Sequence, residues 1–180
     1  MIPTKAHKIR TFDKFFIEKN SLPTNDIYLV LDNLRSAYNV GNIIRTADAI
    51  RVNKILLCGT TPTPDNPKVQ KTAMGAEKYV DWIYYKYTED AINFLKEKKV
   101  DIYALETTRI SKNLFEYDDI KLPSAFIFGN EALGIASHIL IQTKAVLEIP
   151  VYGYKNSLNV SNTTAILLYE IARKLGIVFK

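Results

Sequence analysis

Three short segments of this 180-residue chain carry side chains that could do chemistry. FGNEALG, Phe128 to Gly134, runs from an apolar stretch straight into glycine, amide and carboxylate. IPVYGYKNSLNVSN, Ile149 to Asn162, does the same, and its Ser157, Leu158 and Asn159 set a hydroxyl and a carboxamide on either side of an apolar residue. A buried strand ends this way when its tip faces a ligand. Gly129 and Gly134 would let main-chain groups meet that ligand without interference from a Cβ. Near the front, NVGNIIR supplies Asn39 and Arg45, and the guanidinium is a rigid fork of donors suited to anionic oxygen.

Taken singly, each segment also has a plain structural reading. Asn130 or Glu131 could sit near a helix N-terminus, where a carboxylate is favoured. Ser157 or Asn159 could simply cap the last helix. Arg45 could pair on the surface with Asp48, one turn on.

The elements that must position these residues follow from the apolar pattern. Strands are expected at 27–32, 54–59, 81–85, 101–106, 124–129 and 145–150, with helices at 40–51, 67–74, 89–98, 133–142 and 160–175. Short β-branched runs separated by helical stretches predict an α/β fold, a mostly parallel sheet with helices on both faces. Asn39 reads as the N-cap of its helix, with Gly41 in the first turn allowing a close approach to the backbone. The last helix has a core stripe of Val160, Thr164, Leu167, Leu168, Ile171 and Leu175. Ile166 and Tyr169 on its other face suggest a second buried contact, such as a subunit interface.

Composition narrows the function. The chain is 47% hydrophobic with a formal charge of +5, ordinary for a globular protein and permissive of an anionic partner. Lys5, Lys8, Arg10, Lys14 and Lys19 make residues 1–26 a basic N-terminal segment ahead of a single domain at 27–180. No apolar run is long enough for a bilayer, and the N-terminus lacks an apolar export core, so a cytoplasmic protein is expected. The single cysteine, Cys58, reads as a small buried hydrophobe. His7 and His138 lie far apart and no metal-ligand spacing occurs, so no metal is expected. GxSxG, P-loop and GxGxxG patterns are absent, against hydrolase, NTPase and dinucleotide-binding readings.

Together and in this order, LDNLRSAYNVGNIIRTADAI, FGNEALG and IPVYGYKNSLNVSN resemble the three motifs of SpoU/TrmH-type RNA 2'-O-ribose methyltransferases, a branch of the SPOUT superfamily. The resemblance covers about residues 27–176. It departs at Ile135, where leucine is usual, and at Asn162, Thr163 and Thr164, where the family has valine and alanine. It implies a sheet whose C-terminal segment forms a deep trefoil knot, a homodimer, and an S-adenosylmethionine-dependent methyl transfer to a ribose 2'-hydroxyl of RNA. The compact chain leaves tRNA and rRNA both open as substrates, with tRNA slightly favoured. By the same resemblance, Gly129, Ile149 and Leu158 contact the cofactor, and Leu105 and Thr107 form another wall of its pocket. Asn39, Arg45, Glu131, Ser157 and Asn159 would be the catalytic set, and Lys71, Thr72 and Gly75 would lie near cofactor or substrate. The arginine is a poor base, so its expected role is to grip phosphate and stabilise the developing alkoxide. The rival readings are a knotted RNA- or adenosylmethionine-binding protein without transferase activity, and a base-methylating SPOUT enzyme.

Overall fold

Residues 23–177 are described by a computed structural model. Most of the basic N-terminal segment expected from the sequence therefore lies outside the described residues. Seven strands, β1 (Asn25–Asp32), β2 (Val52–Cys58), β3 (Trp82–Tyr85), β4 (Asp101–Leu105), β5 (Lys112–Asn113), β6 (Ser124–Phe128) and β7 (Ala145–Glu148), form one sheet ordered β3-β2-β1-β6-β4-β7-β5. Every pairing between them is parallel. The helices are α1 (Ala37–Ile50), α2 (Pro67–Ala73), α3 (Thr88–Glu97), α4 (Ser137–Leu140) and α5 (Val160–Lys174).

Side-chain alternation divides the core into two layers. Ile27, Leu29, Leu31, Phe126 and Phe128 face α1, α2 and α5. Tyr28, Val30, Ala125 and Ile127 face α3 and α4 on the other side. Both faces are covered, which explains why the central strands read as nearly unbroken apolar runs. Cys58 is fully buried in the second layer, and desolvation pushes its thiol up to about 12, so it is the inert hydrophobe expected. Among the described residues, no helix is long and apolar enough to cross a membrane.

Several local expectations are corrected. Asn39 is not the N-cap of α1: Ser36 is, its Oγ accepting from the Asn39 N–H at 3.2 Å, which leaves the Asn39 carboxamide free. The helix expected at 133–142 is only the single turn of α4, because residues 130–134 fold into a turn in which the Gly134 N–H donates to the Asn130 carbonyl at 2.9 Å. The helix expected at 67–74 ends at Ala73, with Met74 in the left-handed region as its C-cap. The stripe on α5 does face the core through Thr164, Leu167, Leu168 and Ile171, while Tyr169 is exposed.

A cation near the end of α5 ties down the segment between β5 and β6. Lys174 Nζ donates to the carbonyls of Phe115 and Tyr117, each at 3.0 Å, and to Asp118 Oδ1 at 2.7 Å. The expected close approach at Gly41 is made by α2: a Cβ there would stand 2.0 Å from Thr72 Oγ1 and 2.4 Å from the Val69 carbonyl oxygen. Because a backbone atom blocks the space, rotating a side chain cannot relieve it. Gly41→Ala should therefore destabilise the protein by about 1–3 kcal/mol in chemical denaturation. Thr72→Ala should not rescue it, since the Val69 carbonyl remains.

Candidate functional site

The C-terminal ends of three neighbouring strands are level. Leu105 of β4 is in register with Phe128 of β6 and with Leu147 of β7. Glu106 and Gly129 therefore leave the sheet side by side, next to Glu148 at the last position of β7. In parallel α/β sheets this carboxyl edge is where ligands bind. Here it opens into a cavity of about 780 Å³ bordered by the loop that leads into α5. That volume is in the range of sites for small molecules and cofactors.

Of the residues singled out from sequence, Leu105, Thr107, Gly129, Glu131, Gly134 and Ile149 line this cavity, as do Ser157, Leu158 and Asn159. Gly129 is required by the loop itself, not by a ligand: a Cβ there would meet Ile135 Cγ1 at 2.5 Å and the Gly134 carbonyl carbon at 2.6 Å. Glu106 holds the same turn from across the cavity. Its Oε2 accepts from the Ile135 N–H at 3.0 Å and its Oε1 from the Thr107 N–H at 3.1 Å. Asn130 anchors the turn from behind, donating to the Asn33 carbonyl at 2.7 Å.

The three motifs meet in one hydrogen-bonded line beside the cavity, with Glu131 and Asn159 in its wall and Asn39 outside it. Asn159 Nδ2 donates to Asn39 Oδ1 at 3.1 Å, and Asn39 Nδ2 donates to Glu131 Oε1 at 3.0 Å. Asn159 also caps α5, its Oδ1 accepting from the Ser161 N–H at 2.9 Å. The capping role that was open for Asn159 is real, and the same side chain serves the network. Ser157 is not the cap: it lines the cavity and makes no hydrogen bond among the described residues.

Glu131 is an anchor. Its carboxylate also accepts from the Arg35 N–H at 2.9 Å and the Ser36 N–H at 3.2 Å, at the N-terminus of α1. Partial burial pushes its pKa up, but the Arg35 N–H, the Asn39 amide and the Ser36 N–H more than offset this and hold it below the ordinary value of 4.5. At neutral pH the group is an ionised acceptor and a weak base.

Arg45 stands apart. It lies two turns along α1 from the helix start, is exposed, and is not part of the cavity wall. It makes no ion pair with Asp48 or any other described residue. Lys71, Thr72 and Gly75 are also absent from the wall; Thr72 instead donates to the Tyr38 carbonyl at 3.1 Å. Sequence reasoning missed Glu106, Glu148 and Asn156, which do line the cavity. Glu106 and Glu148 are polar residues at the ends of apolar strands, the very signal that marked Gly129 and Glu131.

The Glu131 anchor has a pH signature. A depressed carboxyl stabilises the fold fully above its unfolded value and ceases to do so as pH falls through the lower folded value. Glu131→Gln should lower the Tm at pH 7 by roughly 3–6 °C. That deficit should start to shrink only as pH drops below 4.5 and then vanish, as read by thermal melts of both proteins.

Known proteins fit this geometry. Residues 26–169 match the model of the SpoU rRNA Methylase family. A tRNA (guanosine(18)-2'-O)-methyltransferase of Thermus thermophilus is 32% identical over 152 residues, which span 83% of this chain and 75% of that one. An uncharacterised tRNA/rRNA methyltransferase of Borreliella burgdorferi is 31% identical over 96% of this chain and 76% of its own length. Among solved structures, the TrmH/SpoU tRNA modifying enzyme of A. aeolicus superposes with a TM-score of 0.80 at 27% identity, covering 91% of this chain and 82% of that one. An AdoMet-bound rRNA methyltransferase from Sinorhizobium meliloti superposes with a TM-score of 0.78 at 30% identity, covering 87% of this chain but only 60% of that longer one. With the three motifs joined by hydrogen bonds and most of its length matched, the chain belongs to the SpoU methylase family.

Proposed function

We propose that this protein transfers a methyl group from S-adenosylmethionine to the ribose 2'-hydroxyl of an RNA nucleotide. The observation that carries the reading is the line Asn159–Asn39–Glu131, which joins all three family motifs and has its two ends in the wall of one cavity. The family match and the methyltransferase names of the relatives support it.

The cavity suits the cofactor chemically. Three carboxylates, Glu106, Glu131 and Glu148, line it with no Lys, Arg or His among the described residues of the wall, beside apolar Leu105, Ile135, Ile149 and Leu158. An acidic wall attracts a positively charged ligand, and the apolar residues can cover an adenine. When bound, the cofactor supplies a methyl group already activated by a positively charged sulfur. The protein's task is then mainly to place the acceptor oxygen in line. Gly129, Ile149 and Leu158 hold the cofactor, with Leu105 and Thr107 as the other wall. Asn39 and Asn159, fixed by the network, orient the ribose beside Ser157. Glu131 positions Asn39 and leaves proton removal to a substrate phosphate oxygen or solvent.

The reading extends to a homodimer in which Arg45 of one copy completes the site of the other, gripping phosphate and stabilising the developing alkoxide. Its support is the exposed position of Arg45 away from its own cavity. It also includes a C-terminal trefoil knot, supported by the family and by Lys174 binding α5 to residues 115–118. The RNA is tRNA in preference to rRNA, in line with the name of the Thermus relative.

Methyl transfer from tritiated adenosylmethionine to total RNA, with the modified nucleotide mapped by 2'-O-methyl sequencing, tests the activity. Label on a base, or no transfer, would overturn it. Arg45→Lys keeps the charge but loses the planar fork, so kcat should fall about a hundredfold. Near-normal turnover would remove Arg45 from the reaction. Light scattering should give the mass of a dimer, and a monomer at micromolar concentration would refute the shared site.

A further inference from the structure

The loop between β7 and α5 carries two aromatic side chains that the fold does not use. Tyr154 and Tyr152 are 111% and 97% exposed, the most exposed large hydrophobic side chains among the described residues. Neither packs on another ring or hydrogen-bonds to a described residue. Aromatic rings dominate cores and interfaces because of the area they bury, so two such rings left in water on one loop point to a missing partner. Gly153, between them, has open space where a Cβ would stand and no backbone angle that demands glycine.

This loop is not remote from the chemistry. Its Val151, Asn156 and Ser157 line the cavity, so the tyrosines belong to a loop that borders it. Lys155 is exposed beside Tyr154, and exposed Arg35 and Arg109 lie on loops that leave the same carboxyl edge of the sheet. The cavity wall is acidic and would repel phosphate, so these outer cations are better placed to meet an RNA backbone.

Resting on the RNA methyltransferase reading, we propose that Tyr152 and Tyr154 form a stacking clamp for unpaired bases next to the methylated nucleotide, with Lys155 on the adjoining phosphate. Every base offers a π-face, so such a clamp tolerates sequence. Bases within a duplex are already stacked on one another and have no free face to give. The clamp therefore selects nucleotides in loops, bulges or single strands. A second copy of the chain packed on both rings would bury the charged Lys155, which makes RNA the better occupant.

The test compares the full chain with Tyr152→Ala/Tyr154→Ala and Tyr152→Phe/Tyr154→Phe double variants. Fluorescence anisotropy reads binding of a labelled oligoadenylate and of an RNA duplex of equal length, and calorimetry reads S-adenosylhomocysteine. The expected result is tighter binding of the single strand by the wild type, about tenfold or greater loss in the alanine variant, and retention in the phenylalanine variant. Adenosylhomocysteine affinity should be the same in all three. Equal oligoadenylate affinity for wild type and the alanine variant would overturn the clamp alone. A wild type that binds adenosylhomocysteine but neither RNA would overturn the RNA reading with it. Conversion of a dimer to monomers by the alanine substitutions would also overturn the clamp, assigning the rings to a subunit contact.

Discussion

An ionised carboxylate at the start of α1 sets the direction of everything around it. Glu131 can only accept hydrogen bonds, so the Asn39 amide must turn its NH2 toward it. That leaves Asn39 Oδ1 as an acceptor, which Asn159 satisfies with its own NH2. Asn159 Oδ1 is then free to cap α5. One charge thus fixes the orientation of two amides and ties together the N-termini of two helices that lie far apart in sequence. Reversing either amide would set donor against donor or acceptor against acceptor. The line is specific because its end is charged.

The carboxylate can do this because the sheet delivers it to the right place. β6 lies between β1 and β4, so the loop after β6 faces the start of α1 on one side and the end of β4 on the other. Glu131 reaches toward α1, while Glu106 reaches back from β4 to the Ile135 N–H. The turn at 130–135 is held from both flanks by carboxylates on main-chain donors. A loop fixed in this way can keep a cavity open without packing across it, which a cofactor site requires.

Much of this was legible from sequence, for identifiable reasons. Strands covered on both faces announce themselves as apolar runs, so six of the seven were placed to within a few residues. The remaining strand, Lys112–Asn113, is too short to show alternation. Asn39 was misplaced as a cap because Ser36 and Asn39 are both good caps, and only the tertiary partner Glu131 decides between them. The expected helix at 133–142 failed where Gly134 adopts a positive φ of 66° and Glu106 holds the turn open. A contact between residues 29 positions apart has no local signature. The glycines were read as making room for a ligand, yet Gly129 makes room first for its own loop.

The charge distribution explains why a cation is kept out of the wall. A lysine or arginine inside this cavity would pair with Glu106, Glu131 or Glu148 and compete with the main-chain N–H groups that the first two hold and the Ser111 hydroxyl that Glu148 holds. It would also weaken attraction for a positively charged donor. Yet transfer to a ribose hydroxyl places negative charge on that oxygen, beside a phosphate, where a cation is most useful. These two demands conflict in a single small pocket. They are reconciled if the guanidinium sits on an exposed helix face and reaches the reacting oxygen only when the substrate and a second surface are in place. Arg45, charged, exposed and outside the cavity wall, occupies the kind of position that this solution requires.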